Sequence, residues 1–347
     1  MKVTYIALDP LKYPRIKKIA YTLEKRPDVQ FHVMIPKIRF VWHGSRVKRV
    51  MSAIINYVMI ILQIFFVKSD IFWVANCPDV LVLPLVLRRK RYILEYRSPW
   101  SIEVENEFGH GPWVRLSAVV ENFALKHAVF ITLTTSRLVG RVKNEKLVFV
   151  IPNYPIATFG VASVSREEFR RCCGCREDDK VVLFVGKLTR VEGADLLPSM
   201  MEDVVLKKAN VVFWLVGDGP LYQLLEQFAR RFPRRVKLFG WQPHKEIPNF
   251  IAAADVCIAP RHKSRYSVFY NEEGLQKLSE YMFFEKPIVA CGIAESREYL
   301  LVDEDEMADG VVKALNGQVS PSKCKTWEGY SEKKIYEMLS LICSSKF

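Results

Sequence analysis

Two glutamates eight positions apart, Glu272 and Glu280, stand in the run Tyr270–Ala290, which reads YNEEGLQKLSEYMFFEKPIVA. A carboxylate accepts hydrogen bonds from sugar hydroxyls and cannot serve a phosphate. Asn271 and Gly274 precede an apolar period at Leu275, Leu278, Tyr281 and Met282, which predicts a helix beginning near Gly274. Glu272 then falls in the loop before the helix. Glu280 lies about six residues inside it, roughly 9 Å along the axis at about 1.5 Å per residue. That is close to the span from a nucleotide ribose to a diphosphate-linked hexose. The amides at the helix start, near Gly274 and Leu275, would face phosphates held between the two acids. The competing reading is a solvated helix face, and spacing alone does not separate the two.

A second constellation supplies cations. Phe184–Gly193 reads as a strand, a turn at Gly186, then Lys187 and Arg190 ahead of a helix expected near Ala194. Such a loop places basic groups beside a diphosphate. Gly217-Asp218-Gly219-Pro220 ends another strand, either as a close backbone approach or as a plain β-turn. Phe239-Gly240-Trp241 and Ile258-Ala259-Pro260 follow.

Together, Glu-x7-Glu, Tyr281-Met282 and Lys286-Pro287-Ile288-Val289-Ala290 resemble the signature of glycosyltransferase family 4, the retaining sugar-nucleotide transferases with the GT-B fold. The resemblance is strong from Val181 to Ala290, moderate from Tyr92 to Pro155 and weak before that. It implies that Glu272 holds the donor hexose and Glu280 the ribose, with Gly186, Asp218 and Gly219 lining the donor site and Phe239 and Trp241 near the base. The family neutralises its leaving diphosphate with an arginine and, just before a glycine, a lysine. Here Lys187 stands at the first position and Glu192 at the second, a reversal of charge for which Arg190 could compensate. Glu272, Lys187 and Arg190 are thus the expected catalytic groups.

On the acceptor side, Arg97-Ser98-Pro99-Trp100 follows the strand Tyr92–Tyr96, leading to a loop with Glu103, Glu105 and Glu107 and the turn Gly109-His110-Gly111. This resembles the Arg-Asp-x-Trp loop of some family members, with Ser98 where aspartate is usual. The resemblance assigns Arg97, Trp100, Glu103 and His110 to the acceptor, Arg97 occupying the place where many relatives have histidine. His127 reads as structural. Asp303-Glu304-Asp305 reads as acidic residues opening a helix, so no catalytic metal and no cofactor are expected.

These residues need a scaffold. Strand-like runs at Val3–Leu8, Phe31–Ile35, Ile71–Ala75, Tyr92–Tyr96, Val129–Thr132 and Leu147–Ile151 alternate with helical stretches such as Ile16–Lys25 and Val114–Ala128. A second series runs through Val181–Val185, Val211–Val216, Val236–Phe239, Val256–Ala259 and Ile288–Ala290. Both predict doubly wound parallel α/β sheets. The expected fold class is GT-B, two Rossmann-like domains facing across a cleft: an acceptor domain over 1–152, a linker over 153–165, a donor domain over 166–325, and a segment 326–347. The last, a helix led by Trp327, is expected from the resemblance to cross back to the first domain.

Composition adds the partners. The formal charge is +13, and all of the excess lies in residues 1–155, with 24 Lys and Arg against 11 Asp and Glu; the remainder balances at 27 of each sign. A basic half calls for an anionic partner. No nucleic-acid motif is present, which leaves an anionic membrane surface or a phosphorylated, lipid-linked acceptor. Val50–Val67 is an apolar stretch behind Arg46, Lys48 and Arg49, and suits either a helix packed on the sheet or one lying in the membrane interface. A transmembrane span would cut the first sheet. The opening apolar run is too short for a signal peptide, so a cytoplasmic protein at the cytosolic membrane face is expected. Cys172, Cys173 and Cys175 lack zinc-site spacing and read as incidental or structural thiols.

The reading that follows is a metal-independent hexosyltransferase acting on a membrane-associated glycan. A sugar-nucleotide epimerase or hydrolase, or a non-catalytic sugar-nucleotide-binding subunit, are its rivals.

Overall fold

The computed structural model describes residues 1–8, 14–35, 46–142 and 147–344. It divides into two units: residues 1–152 with 330–347, and residues 153–329.

In the first unit the elements run β1 (Lys2–Ile6), α1 (Pro14–Glu24), β2 (Gln30–Met34), α2 (Arg46–Phe66), β3 (Ile71–Ala75), α3 (Leu83–Leu87), β4 (Tyr92–Tyr96), α4 (Trp100–Phe108), α5 (Pro112–His127), β5 (Phe130–Leu133) and β6 (Leu147–Val150). The six strands form a parallel sheet in the order β2-β1-β3-β4-β5-β6. β3 and β4 are buried at every position, as near-continuous apolar strands covered on both faces must be. The expected loop carrying Glu103 and Glu105 is instead the helix α4. Its N-cap is Pro99 in an extended conformation, and it ends at Gly109.

The second unit contains α6 (Arg166–Cys172), β7 (Lys180–Val185), α7 (Leu197–Lys207), β8 (Val211–Val216), α8 (Tyr222–Arg231), β9 (Val236–Gly240), α9 (Ile247–Ala253), β10 (Val256–Ala259), α10 (Gln276–Phe283), β11 (Ile288–Ala290), β12 (Leu300–Leu301) and α11 (Met307–Leu315). Its parallel sheet is ordered β12-β11-β10-β7-β8-β9. Alternate residues of β7 and β8 enter two separate cores. Val182, Phe184, Phe213 and Leu215 pack with α7 and α11, whereas Val181, Leu183, Trp214 and Val216 pack with α9 and α10. Sequence order reverses between β7 and β10, so the carboxyl ends of those two strands form the switch point at which such sheets bind ligands.

The expected linker over 153–165 belongs to the second unit, and Trp327 does too, its amide donating to the Pro155 carbonyl at 2.8 Å. The final helix, α12 (Glu332–Ser344), belongs to the first unit. Lys25 reaches Glu332 at 2.9 Å, the Tyr336 hydroxyl donates to the Thr22 carbonyl, and Ser331 Oγ donates to the Pro152 carbonyl at 2.8 Å. All eight cysteines are free thiols.

Candidate functional site

The glutamate pair lies in the second unit, at the start of α10. That helix begins at Gln276, two residues later than its periodicity predicts, because Asn271 closes a turn ahead of it. The amides of Gly274 and Leu275 both donate to the Asn271 carbonyl, at 3.2 and 2.8 Å. The donors expected there for phosphates are therefore taken up by the turn. The next amides, at Gln276 and Lys277, open the helix.

Glu280 sits one turn into α10 and is 5% exposed. Its Oε1 is engaged by His244 Nε2 at 2.7 Å and by Gln276 Nε2 at 2.6 Å. The His244 ring stacks on Phe159 with centroids 4.9 Å apart. Tyr281 fixes the helix to the sheet by accepting a hydrogen bond from the Val185 amide at the end of β7. Glu272, in the loop, has a buried Oε2 without a hydrogen-bond partner. Burial raises its pKa, and Ser296 offsets part of the rise. One acid is thus locked in place by its neighbours, while the other keeps an acceptor atom in reserve.

The loop after β7 differs from its reading in sequence. Lys187 is exposed. Arg190, in a short 3-10 turn before α7, pairs with Asp195 at 3.1 Å. His262 bridges Asp195 and Glu304 at 3.0 and 2.8 Å; although burial opposes it, these hydrogen bonds hold its pKa above the ordinary imidazole value. Arg190 therefore does not lie beside Glu192 as a compensating cation. Glu192 is neutralised from elsewhere: its Oε1 pairs with the guanidinium of Arg261, after β10, and its Oε2 lies 2.7 Å from Lys277 Nζ. Burial would raise the Glu192 pKa, but Lys277 and Arg261 outweigh it and hold the carboxyl down at about 2. Burial in turn lowers the Lys277 pKa. The sequence reading missed Lys277, Arg261 and His244. The available signal was the charge reversal at Glu192, since a buried acid demands a cation.

Gly217 and Gly219 do make a close approach, to protein backbone. A Cβ on Gly217 would lie 1.8 Å from the Gly186 carbonyl oxygen, and one on Gly219 would lie 2.5 Å from that of Leu188. Asp218 accepts from the Gly219 amide at 2.7 Å, and its carbonyl from the Leu188 amide at 3.0 Å. Of the two aromatic residues expected near a base, Phe239 packs against Trp214 and Phe250 in the core, whereas Trp241 is 70% exposed. Only Trp241 offers a free ring face.

In the first unit the expected acceptor residues have different partners. Arg97 is drawn inward: its Nε lies 2.8 Å from Glu95 Oε1 and its terminal nitrogen donates to the Tyr5 hydroxyl. Glu95 is fully buried and also binds Arg15 at 2.7 Å and Tyr5 at 2.6 Å. Burial would raise its pKa, but Arg97 and Arg15 hold it at about 2. Trp100 and Glu103 lie on α4, where Glu103 accepts from the Ser98 hydroxyl. His110 is largely exposed beside Glu105, with Nδ1 2.5 Å from Oε1.

α2 leaves Met51, Ile54, Val58, Leu62 and Phe66 exposed at helical spacing, Phe66 by 84%, and buries Ile60 and Ile64. Lys48 is exposed beside them; the side chains of Arg46 and Arg49 lie outside the described residues. Arg88 closes the other end of α2, donating to the Ile64 and Val67 carbonyls at 2.9 and 3.2 Å. Among the described residues no helix is long and apolar enough to cross a membrane, and no group of three or more His, Cys, Asp or Glu side chains is arranged to hold a metal ion.

Residues 179–317 match the family model described as Glycosyl transferases group 1. The chain is 30% identical over 155 residues to the 2-deoxystreptamine N-acetyl-D-glucosaminyltransferase of Streptomyces fradiae, covering 42% of this chain and 37% of that protein. It is 30% identical over 81 residues to the phosphatidylinositol N-acetylglucosaminyltransferase GPI3 subunit of Saccharomyces cerevisiae, covering 23% of this chain and 18% of that one. These matches span well under half the length of either relative. Among solved structures, the sucrose-phosphate synthase of Thermosynechococcus elongatus is similar with a TM-score of 0.70 at 14% identity, over 99% of this chain and 100% of that one. The structural likeness gives the two-domain GT-B fold. The sequence matches support a glycosyltransferase superfamily.

Proposed function

We propose that this protein is a retaining glycosyltransferase of the family 4 type, which moves a hexose from a nucleoside-diphosphate sugar to a membrane-associated, lipid-linked glycan without a catalytic metal or cofactor. The observation that carries the reading is the glutamate pair. Glu272 keeps an unpartnered buried oxygen ahead of α10, suited to a hexose hydroxyl, and Glu280 is held one turn inside by His244 and Gln276, suited to a ribose. Trp241 supplies a stacking face for the base. Lys187 is free to meet the leaving diphosphate, and Arg190 could join it only by releasing Asp195. Of the two relatives, one is an N-acetylglucosaminyltransferase of 2-deoxystreptamine and the other a subunit of a phosphatidylinositol N-acetylglucosaminyltransferase. In retaining transfer the departing phosphate oxygen takes the acceptor proton on the same face, so no strong general base is required of Arg97, Trp100, Glu103 or His110.

The exposed apolar stripe of α2, with Lys48 beside it, supports peripheral association with an anionic membrane surface, which we take to be the cytosolic face. The test is incubation with a panel of UDP-, GDP- and ADP-sugars and a membrane extract. Donor- and lipid-dependent transfer is expected, lost in Glu272→Ala and in Glu280→Ala with weakened donor binding in the latter. Turnover of a sugar nucleotide without any membrane acceptor would favour an epimerase or hydrolase, and unchanged activity in Glu280→Ala would sink the clamp.

A further inference from the structure

At the switch point of the second sheet, three charged side chains from three separate segments meet. Glu192 comes from the turn after β7, Arg261 from the end of β10 and Lys277 from the first turn of α10. Lys277 Nζ lies 4.7 Å from the Phe184 ring centroid and 2.7 Å from where a Cβ on Gly186 would stand, so the ammonium rests directly on the strand-end turn. Arg261 lies over the Tyr270 ring at 4.3 Å. Both cations are held by packing and are nearly enclosed, Lys277 being 12% exposed. Glu192 is the most open of the three at 20%, and it rides on a three-residue 3-10 turn at the surface.

We propose that Lys277 and Arg261 are the cations that receive the donor's diphosphate, and that Glu192 is their resident counter-ion, which the diphosphate displaces. This rests on the nucleoside-diphosphate donor proposed above. Charge counting supports it. Two cations and one carboxylate leave a net positive charge in a poorly hydrated site, and a buried charge without a partner is costly. The diphosphate of a sugar nucleotide carries two negative charges. It balances Lys277 and Arg261 only once the carboxylate has swung away, and the surface turn lets Glu192 move into water. Phosphate recognition extends in this way from the loop after β7, which carries Lys187, to Lys277 on α10 and Arg261 after β10. The carboxylate then guards the empty site against other anions.

The test is calorimetric binding of UDP, GDP and ADP, of the matching nucleosides, and of inorganic pyrophosphate, to the wild type, Glu192→Gln and Lys277→Met. Glu192→Gln preserves shape and removes only charge. It should bind pyrophosphate and the preferred nucleoside diphosphate at least tenfold more tightly, with nucleoside affinity unchanged. Lys277→Met should lose at least tenfold for the same two ligands, again with the nucleoside unaffected; that split is one a merely structural ion triad would not produce. Unchanged or weaker diphosphate binding in Glu192→Gln overturns the proposal, and this arm decides alone if Lys277→Met fails to fold. If no nucleotide binds any variant, the donor reading itself is overturned; if nucleotides bind and ignore both substitutions, only the displaced counter-ion is.

Discussion

Gly217→Ala tests whether the turns after β7 and β8 really abut. The new Cβ would lie 1.8 Å from the Gly186 carbonyl oxygen, against the 3.0 Å that Cβ contacts keep, so the turns must part by at least 1.2 Å. Parting them breaks or stretches the hydrogen bonds from Gly186 N to Val216 O and from Leu188 N to Asp218 O, both 3.0 Å, each worth about 0.5–1.5 kcal/mol. The φ of +144° adds backbone strain of about 1–3 kcal/mol for a residue with a side chain. The total is about 4 kcal/mol, which at about 2–4 °C per kcal/mol for a unit of this size lowers its melting temperature by roughly 8–16 °C. Gly240→Ala is the control. Its amide neighbour is the same turn, since Gly217 N donates to Gly240 O at 2.8 Å, and its φ is +65°, but a Cβ there meets nothing within 4 Å. Strain alone costs about 1–2 kcal/mol, or roughly 2–8 °C. Differential scanning calorimetry of both variants, with nucleotide binding measured alongside, makes the comparison. A Gly217→Ala protein no less stable than Gly240→Ala would refute the packing argument.

Two further outcomes follow from buried acid and exposed oil. Asp79 is fully buried, and burial, then the charges of Glu121 and Glu103, push its pKa well above the ordinary value against a smaller opposing effect of Asn76. The folded state therefore keeps a proton that the unfolded chain releases near pH 3.9, and this site's contribution to stability falls as pH rises from there toward the folded pKa. Asp79→Asn should flatten that decline and raise the melting temperature at pH 8; a lower melting temperature at pH 8 would contradict it. On α2, Val58→Glu with Leu62→Glu should cut binding to anionic vesicles at low salt by tenfold or more without changing the melting temperature, as read by vesicle sedimentation, because both side chains point to solvent.

Legibility tracked burial. β3, β4, β8, β10 and β11 have the bounds that the sequence predicts because each is buried throughout and, Glu95 of β4 excepted, apolar. β12 escaped because two leucines carry no period. α4 resembles a loop in sequence, since Glu103, Glu105 and Glu107 alternate with other residues as in an extended polar segment, and in the fold it packs against α5. At the site, the Glu272–Glu280 spacing and the strand-end glycines were visible, since each is local. The partner of Glu192 was not. Its cations come from two other segments that only the crossing of β10 beside β7 brings together, and the pairing of Arg190 with Asp195 removed the compensating cation that proximity in sequence had offered.

The chain completes its first unit last. β1 through β6 precede the whole of residues 153–329, yet Lys25, Thr22 and Pro152 find their partners on Ser331, Glu332 and Tyr336. During synthesis, at about 5–20 residues per second, the first sheet must therefore wait roughly 9–35 s for its closing helix while the second unit emerges. The exposed apolar stripe of α2, with Lys48 beside it, is on view throughout that interval. The second unit can thus be folded before the first is sealed.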